Sequence, residues 1–261
     1  MTHLGCMEDY QASHILSNLK DLDGRRRSST ATVHQHVHIA GYYNISGFWH
    51  GKLQSKLKEM HEMNRKSNND RMTVSLVPQH DATNMWDGGL IDLLHYVDFL
   101  ILSEVEAKHI TKYKGDYHDD DEHSDFLNHI AEFSSFKNSQ TYIIVTLGSK
   151  GSVAFWEGEL IYEQRTLPID NPIDPTGAGD AFAGGFLHGY LSYISGSKGV
   201  IEGDCAQQKV AIEQGMRWGC AVGTSCISVQ GASVPSTKES IGHILNSIDE
   251  AHKSNLKRQK R

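Results

Sequence analysis

The sequence predicts an α/β fold built on a mostly parallel sheet, and three observations carry that expectation. Short apolar or β-branched runs alternate along most of the chain with segments whose apolar residues recur at helical spacing. The run Thr141 to Leu147, TYIIVTL, is the most apolar and β-branched of all, as a central strand requires. A polar, glycine-bearing turn at Asp174 leads straight into a small-residue apolar segment reaching Leu187, a loop feeding the N-terminus of a buried helix. With 261 residues and no linker-like stretch, one domain over residues 1–250 is expected, followed by a basic, disordered tail at 251–261.

Taken in order, MTHLGC reads as the end of a strand, and Met7 to Leu22 as a helix with apolar residues at Met7, Tyr10, Ile15, Leu16 and Leu19. After the polar DGRRRSST stretch, His36 to Tyr43 alternates into Gly41 and reads as a buried strand ending beside a ligand, where glycine lets backbone or substrate come close. Gly51 to Arg65 is a charged amphipathic helix, Met72 to Val77 a short strand, and PQHDATNMWDGGL a turn-rich loop. A helix at Leu90 to His95 and a strand at Val97 to Leu102 follow. The acidic cluster between Lys114 and Asp125 lacks the glycine and bidentate-acid spacing of an EF-hand and reads as a solvated insertion loop. The Thr141 to Leu147 strand turns at Gly148 to Gly151 into a second strand, Ser152 to Trp156. A small-residue helix at Lys209 to Ser225 and a last helix near Ile241 to Ile248 complete the pattern.

Composition excludes several function classes. A net charge of -7 argues against a nucleic-acid surface. No run is long and apolar enough for a bilayer, and the N-terminus lacks a signal pattern, so no membrane partner is expected. The four cysteines have no C-x-x-C spacing, which fits a reducing, cytoplasmic location better than a disulfide or zinc framework. His34, His36 and His38 alternate on one strand face without an acidic or cysteine partner and read as solvated histidines rather than metal ligands.

The chemistry concentrates at Asp174 to Leu187, DPTGAGDAFAGGFL. Gly177, Ala178 and Gly179 carry almost no side chain, so their N–H groups can approach a ligand, and a helix start attracts anions. Asp180 places a carboxylate in that anion site, where a phosphate-only cradle would not tolerate it. A base beside an anion hole is what phosphoryl transfer to a hydroxyl needs. The same letters also suit an N-capped helix or part of a dinucleotide-binding loop, but no G-x-G-x-x-G spacing is completed.

This stretch resembles the C-terminal signature of the ribokinase (PfkB) family of carbohydrate and nucleoside kinases, and the likeness runs from Met1 to about Pro235. It implies a ribokinase-like three-layer sandwich, with Asp180 as the base and the Gly177–Gly179 amides as the anion hole. Thr146 to Gly151, including Gly148 and Ser149, looks like the family's ATP loop. Ser103 to Glu106 resembles its Asn-x-x-Glu motif, with Ser103 where the family has asparagine and Glu106 organising Mg²⁺ through water. The Trp218 to Ser225 and Gly231 to Pro235 stretches resemble the adenine border and, with carbonyls near Asp174, the K⁺ site of some members.

The resemblance therefore implies ATP- and Mg²⁺-dependent phosphorylation of a small sugar, ribose- or fructose-like, with Gly41 and Asp180 facing the substrate and Asp174 near the metal. Family members carry a strand, a Gly-Asn sugar-binding segment and a β-lid upstream of what matches Met1. The expectation is thus a chain without the N-terminal strands and lid that often make the dimer contact, leaving homodimerisation open. A nucleoside acceptor, and a catalytically impaired nucleotide-binding protein, are the competing readings.

Overall fold

The computed structural model describes residues 35–66, 72–115, 122–135, 140–196, 205–233 and 238–259. The strand end expected at residues 1–6, the helix at 7–22, His34 and Pro235 lie outside the described residues. The strands form one sheet in the order β1 (Gln35–Ala40), β2 (Met72–Val77), β3 (Phe99–Ser103), β4 (Tyr142–Thr146), β5 (Ser152–Trp156) and β6 (Glu159–Gln164). β1 runs parallel to β2, from Gln35 opposite Met72 to Ala40 opposite Val77, and β2 runs parallel to β3 with Ser75 opposite Phe99. The links Leu147–Gly151 and Glu157–Gly158 are too short for a crossover, so the β4–β6 end is antiparallel.

The helices are α1 (Lys52–Lys66), α2 (Leu90–Leu93), α3 (Glu104–Ile110), α4 (Glu122–Ser134), α5 (Ala178–Gly196), α6 (Cys205–Cys226) and α7 (Lys238–Gln259). None among the described residues is long and apolar enough to cross a membrane. Four elements depart from the pattern expected of the sequence. The buried strand expected to run to Tyr43 ends at Ala40, is half-exposed along most of its length, and gives way to a 3₁₀ turn at Tyr42–Asn44. β6 follows a tight turn in which Glu157 and Gly158 both have positive φ, 48° and 89°, as a two-residue hairpin requires. α4 begins inside the acidic cluster, because carboxylates suit the positive end of a helix dipole as well as they suit a solvated loop. α7 continues through the basic stretch to Gln259, so the tail expected to be disordered is helical that far.

By its contacts the chain divides into two compact units: residues 1–143 with 156–158, and residues 144–155 with 159–261. In the first, β2 is buried along its whole length, and Leu53, Leu57 and Met60 give α1 its buried stripe. The Asp98 carboxylate accepts the Val74 N–H at 2.7 Å while the Asp98 N–H donates to the Val74 carbonyl at 2.8 Å, pinning the start of β3 to β2. Across one face, the rings of His36, Phe99, Tyr142 and Trp156 follow one another at 6.4, 5.8 and 5.8 Å.

His36 is not the solvated histidine expected of the sequence but sits in a hydroxyl network: its Nδ1 lies 2.8 Å from Thr73 Oγ1, its Nε2 2.8 Å from Ser75 Oγ, and the exposed His38 reaches the same Ser75 oxygen through Nδ1 at 2.7 Å. Burial, with a smaller contribution from His38, lowers the His36 pKa from 6.5 to about 4. The folded chain therefore holds His36 neutral while the unfolded chain protonates it, so stability present above pH 6.5 is lost as pH falls toward about 4. Denaturant midpoints measured across that window should fall with pH, and His36→Asn should flatten this part of the curve.

In the second unit α5 and α6 meet nearly backbone to backbone. A Cβ at Gly185 would lie 2.6 Å from the Trp218 carbonyl oxygen, and one at Gly219 would lie 2.8 Å from the Phe182 ring. The small residues that mark these helices in the sequence are what lets them approach. Arg217 ties α6 to α7 with two charge-assisted bonds to Asp249, both 2.6 Å. Gly185→Ala should destabilise the chain by about 1–3 kcal/mol, the usual cost of overpacking, read as a lower thermal midpoint.

Candidate active site

In the second unit the candidate residues are built on two loops. β4 ends at Thr146, and a single 3₁₀ turn, Gly148–Lys150, leads into β5. The Leu147 N–H donates to the Gly151 carbonyl at 2.8 Å and the Gly151 N–H to the Gly148 carbonyl at 3.1 Å, which closes the loop on itself. The two glycines are needed for different reasons. At Gly151 (φ 103°) a Cβ would collide with the carbonyl of Gln164 at the end of β6, so chain packing demands it. At Gly148 (φ 58°) nothing lies within 4 Å of where a Cβ would be, so its backbone faces open space. Ser149 and Lys150 are exposed beside it.

The second loop precedes α5. Asp174 Oδ1 accepts the Thr176 N–H and Oδ2 accepts the Gly231 N–H, both at 2.9 Å. Hydrogen bonds from Thr176, then from the Gly231 backbone, hold its pKa below the usual carboxylate range. The Ile173 N–H donates to the Ile227 carbonyl at 2.8 Å, so the turn is fastened to the chain leaving α6 at two points. Gly177 has φ 80°, and a Cβ there would lie 2.6 Å from the Ala232 Cβ. Ala178 donates to the Pro175 carbonyl and Ala181 to that of Gly177, so the turn closes directly into the first turn of α5. Gly179 and Asp180 are exposed on this first turn, and the flank of Gly179 is open.

Cys226 is the residue of this region that sequence reasoning misses. Its thiol is buried, donates to the Thr176 carbonyl at 3.6 Å, and is pushed up by burial and by the charges of Asp174 and Asp180. Gly231 and Ala232 carry a weak signal, the glycine turn after α6, but nothing in the spacing tells that they clamp Asp174 and Gly177.

In the first unit, Gly41 (φ 75°) follows β1 and donates to the Val77 carbonyl at 2.9 Å, with Gln79 Oε1 and Asn44 packed where a side chain would go. Ser103 and Glu106 form a capping box on α3: Ser103 N–H to Glu106 Oε2 at 2.7 Å, and Glu106 N–H to Ser103 Oγ at 3.2 Å. Serine at this position therefore keeps the helix start intact. Among the described residues no group of three or more His, Cys, Asp or Glu is gathered as a metal site.

A family model for pfkB family carbohydrate kinases matches residues 15–239, most of the chain. The chain belongs to this family. A ribokinase of Arabidopsis thaliana is 33% identical over 98 residues, 37% of this chain and 22% of that protein. A nucleoside kinase of Methanocaldococcus jannaschii is 30% identical over 118 residues, 45% of this chain and 34% of that protein. The chain thus matches about a fifth to a third of the length of these curated relatives. The ribokinase structure of Giardia lamblia superposes with a TM-score of 0.67 at 19% identity, covering 95% of this chain and 67% of that one, and so shares the fold. For this pfkB family member, Gly177→Ala should lower thermal stability through both the left-handed φ and the contact with Ala232, and adding Ala232→Gly should restore only part of the loss.

Proposed function

We propose that this chain transfers the γ-phosphoryl group of ATP to a hydroxyl of a small sugar or nucleoside, with Asp180 as the general base. The observation that carries the proposal is the first turn of α5, where the carboxylate-bearing Asp180 is exposed beside Gly179, whose flank is open. The acceptor O–H proton passes to Asp180, the acceptor oxygen forms the new P–O bond, and the bond from the γ-phosphorus to the bridging oxygen breaks as ADP leaves. In this reading the backbone of Gly179, at the positive end of the helix dipole, offsets charge on the phosphoryl oxygens. Gly148, with its open backbone, and the exposed Ser149 suit the remaining phosphates or ribose, and Thr146 at the end of β4 supports that loop.

Mg²⁺, when bound, supplies charge neutralisation on the phosphates. Asp174 accepts one N–H at each oxygen, which positions the start of α5 and leaves each oxygen a lone pair to turn toward a metal or its water. Glu106, which accepts the Ser103 N–H through one oxygen, suits the water-mediated role that the family likeness gives it. A fructokinase double mutant of Vibrio cholerae that shares the fold (TM-score 0.56, 18% identity, 83% of this chain and 62% of that one) was crystallised with fructose, ADP and potassium ion, which supports a sugar acceptor and a K⁺ dependence.

Asp180→Asn should lower ADP formation with D-ribose, D-fructose or adenosine by about 10²–10⁴-fold while leaving ATP affinity within about twofold. Turnover equal to that of the unaltered chain in this variant would remove Asp180 from the chemistry. ATP binding without transfer to any acceptor in either protein would favour the impaired, nucleotide-binding reading.

A further inference from the structure

Among the described residues, two buried side-chain polar atoms have no hydrogen-bond partner, the Tyr43 hydroxyl and the Trp86 indole N–H, and their rings touch. Tyr43 is 4% exposed and Trp86 8%, and the rings meet edge to face at 5.5 Å. His109 stacks on Trp86 at 4.7 Å with the planes 3° apart, and His80 meets its edge at 5.3 Å. These four side chains come from segments that follow β1, β2 and β3, on the carboxyl side of parallel strands, where open α/β sheets receive ligands.

His80 and His109 are exposed, while the buried carboxylate of the loop, Asp81, is spent elsewhere. Asp81, itself buried, accepts from the Thr83 N–H at 2.8 Å, the Thr83 hydroxyl at 2.7 Å and the Trp86 N–H of the backbone at 2.7 Å. Gln79, Asn84 and Trp86 all lie in the left-handed region, φ 62°, 57° and 49°, so this loop turns a bulky indole inward in a backbone conformation that costs free energy. Buried polar groups in folded proteins are almost always paired, and two orphans in one contact call for an absent partner.

We infer that Tyr43, His80, Trp86 and His109 form a subsite for a neutral hydroxyl of a sugar or nucleoside, received by the indole N–H and the Tyr43 phenol. This rests on the reading of the acceptor as one of those two classes. The indole only donates and the phenol donates or accepts, so the matching group is an oxygen acceptor. An anion is disfavoured, because burial pushes the Tyr43 phenol's pKa up, and Tyr42 with the carboxylates of Asp81, Asp87 and Glu106 adds to that. Aromatic walls suit the apolar C–H face of a sugar ring better than they suit a fully hydrated ion. Both polar atoms are closed from solvent, so entry involves movement of the strained Gln79–Gly89 loop.

The test is equilibrium binding to the full chain, read by calorimetry and tryptophan emission, with D-ribose, D-fructose and adenosine as probes. Tyr43→Phe and Trp86→Phe should each weaken the bound probe by about three- to tenfold, the loss of one hydrogen bond, with ATP affinity unchanged. The emission change should vanish in Trp86→Phe and persist in Trp218→Phe. If Trp86→Phe fails to fold, Tyr43→Phe decides, since it removes one oxygen without changing the ring. Unchanged affinity in a folded Tyr43→Phe chain, or no binding of any probe to the unaltered chain, overturns the subsite and leaves the two atoms to ordered water. Probe binding that both variants weaken, in a chain that transfers no phosphate, keeps the subsite and removes the kinase reading. Transfer whose acceptor KM both variants leave unchanged does the reverse.

Discussion

The second unit depends on one carboxylate, that of Asp174. Asp174 accepts one N–H from the turn it begins and another from Gly231, beyond the end of α6. Through those two bonds the start of α5 is held to a segment more than fifty residues later, and the orientation of the first turn follows. Gly177 adds the steric half of the same clamp against Ala232. An anion site made of backbone amides is only as good as the fixity of its backbone, because its dipoles must already point at the charge they offset.

The positions of the candidate residues were legible where a turn meets a regular element: Asp180 lies on the first turn of α5 and Gly148 in the loop after β4, as the small-residue run and the apolar strand before a glycine turn predict. The function of a glycine was less legible than its presence: Gly148 and Gly151 look alike in the sequence, yet one faces open space and the other is required by the Gln164 carbonyl. The strands with buried faces were readable from their apolar runs, whereas β6 holds only Leu160, Ile161 and Tyr162 between glutamates and is exposed or half-exposed up to Gln164. Residues that act through contacts distant in sequence, Gly231, Ala232, Cys226 and the Trp86 ring cluster, have no local pattern to reveal them.

Ser103 and Glu106 illustrate how one pair of residues answers two demands. As a capping box they settle the start of α3 with reciprocal hydrogen bonds, which explains why serine serves where a longer amide was expected. The same geometry restrains Glu106 in one rotamer, so any water-mediated duty it has toward a metal begins from an ordered carboxylate. Membership of the pfkB family and a shared fold with the Giardia ribokinase are consistent with that economy.

The thiol of Cys226 has a bearing on charge at the start of α5. Two carboxylates already face that thiol, and their influence with burial keeps it protonated. A thiolate there would set a third negative charge beside Asp174 and Asp180 at the start of α5. By staying neutral, Cys226 fills the space under the turn as a small apolar group and leaves the balance of charge to Asp180 and the amides alone, which also makes it a poor target for oxidation.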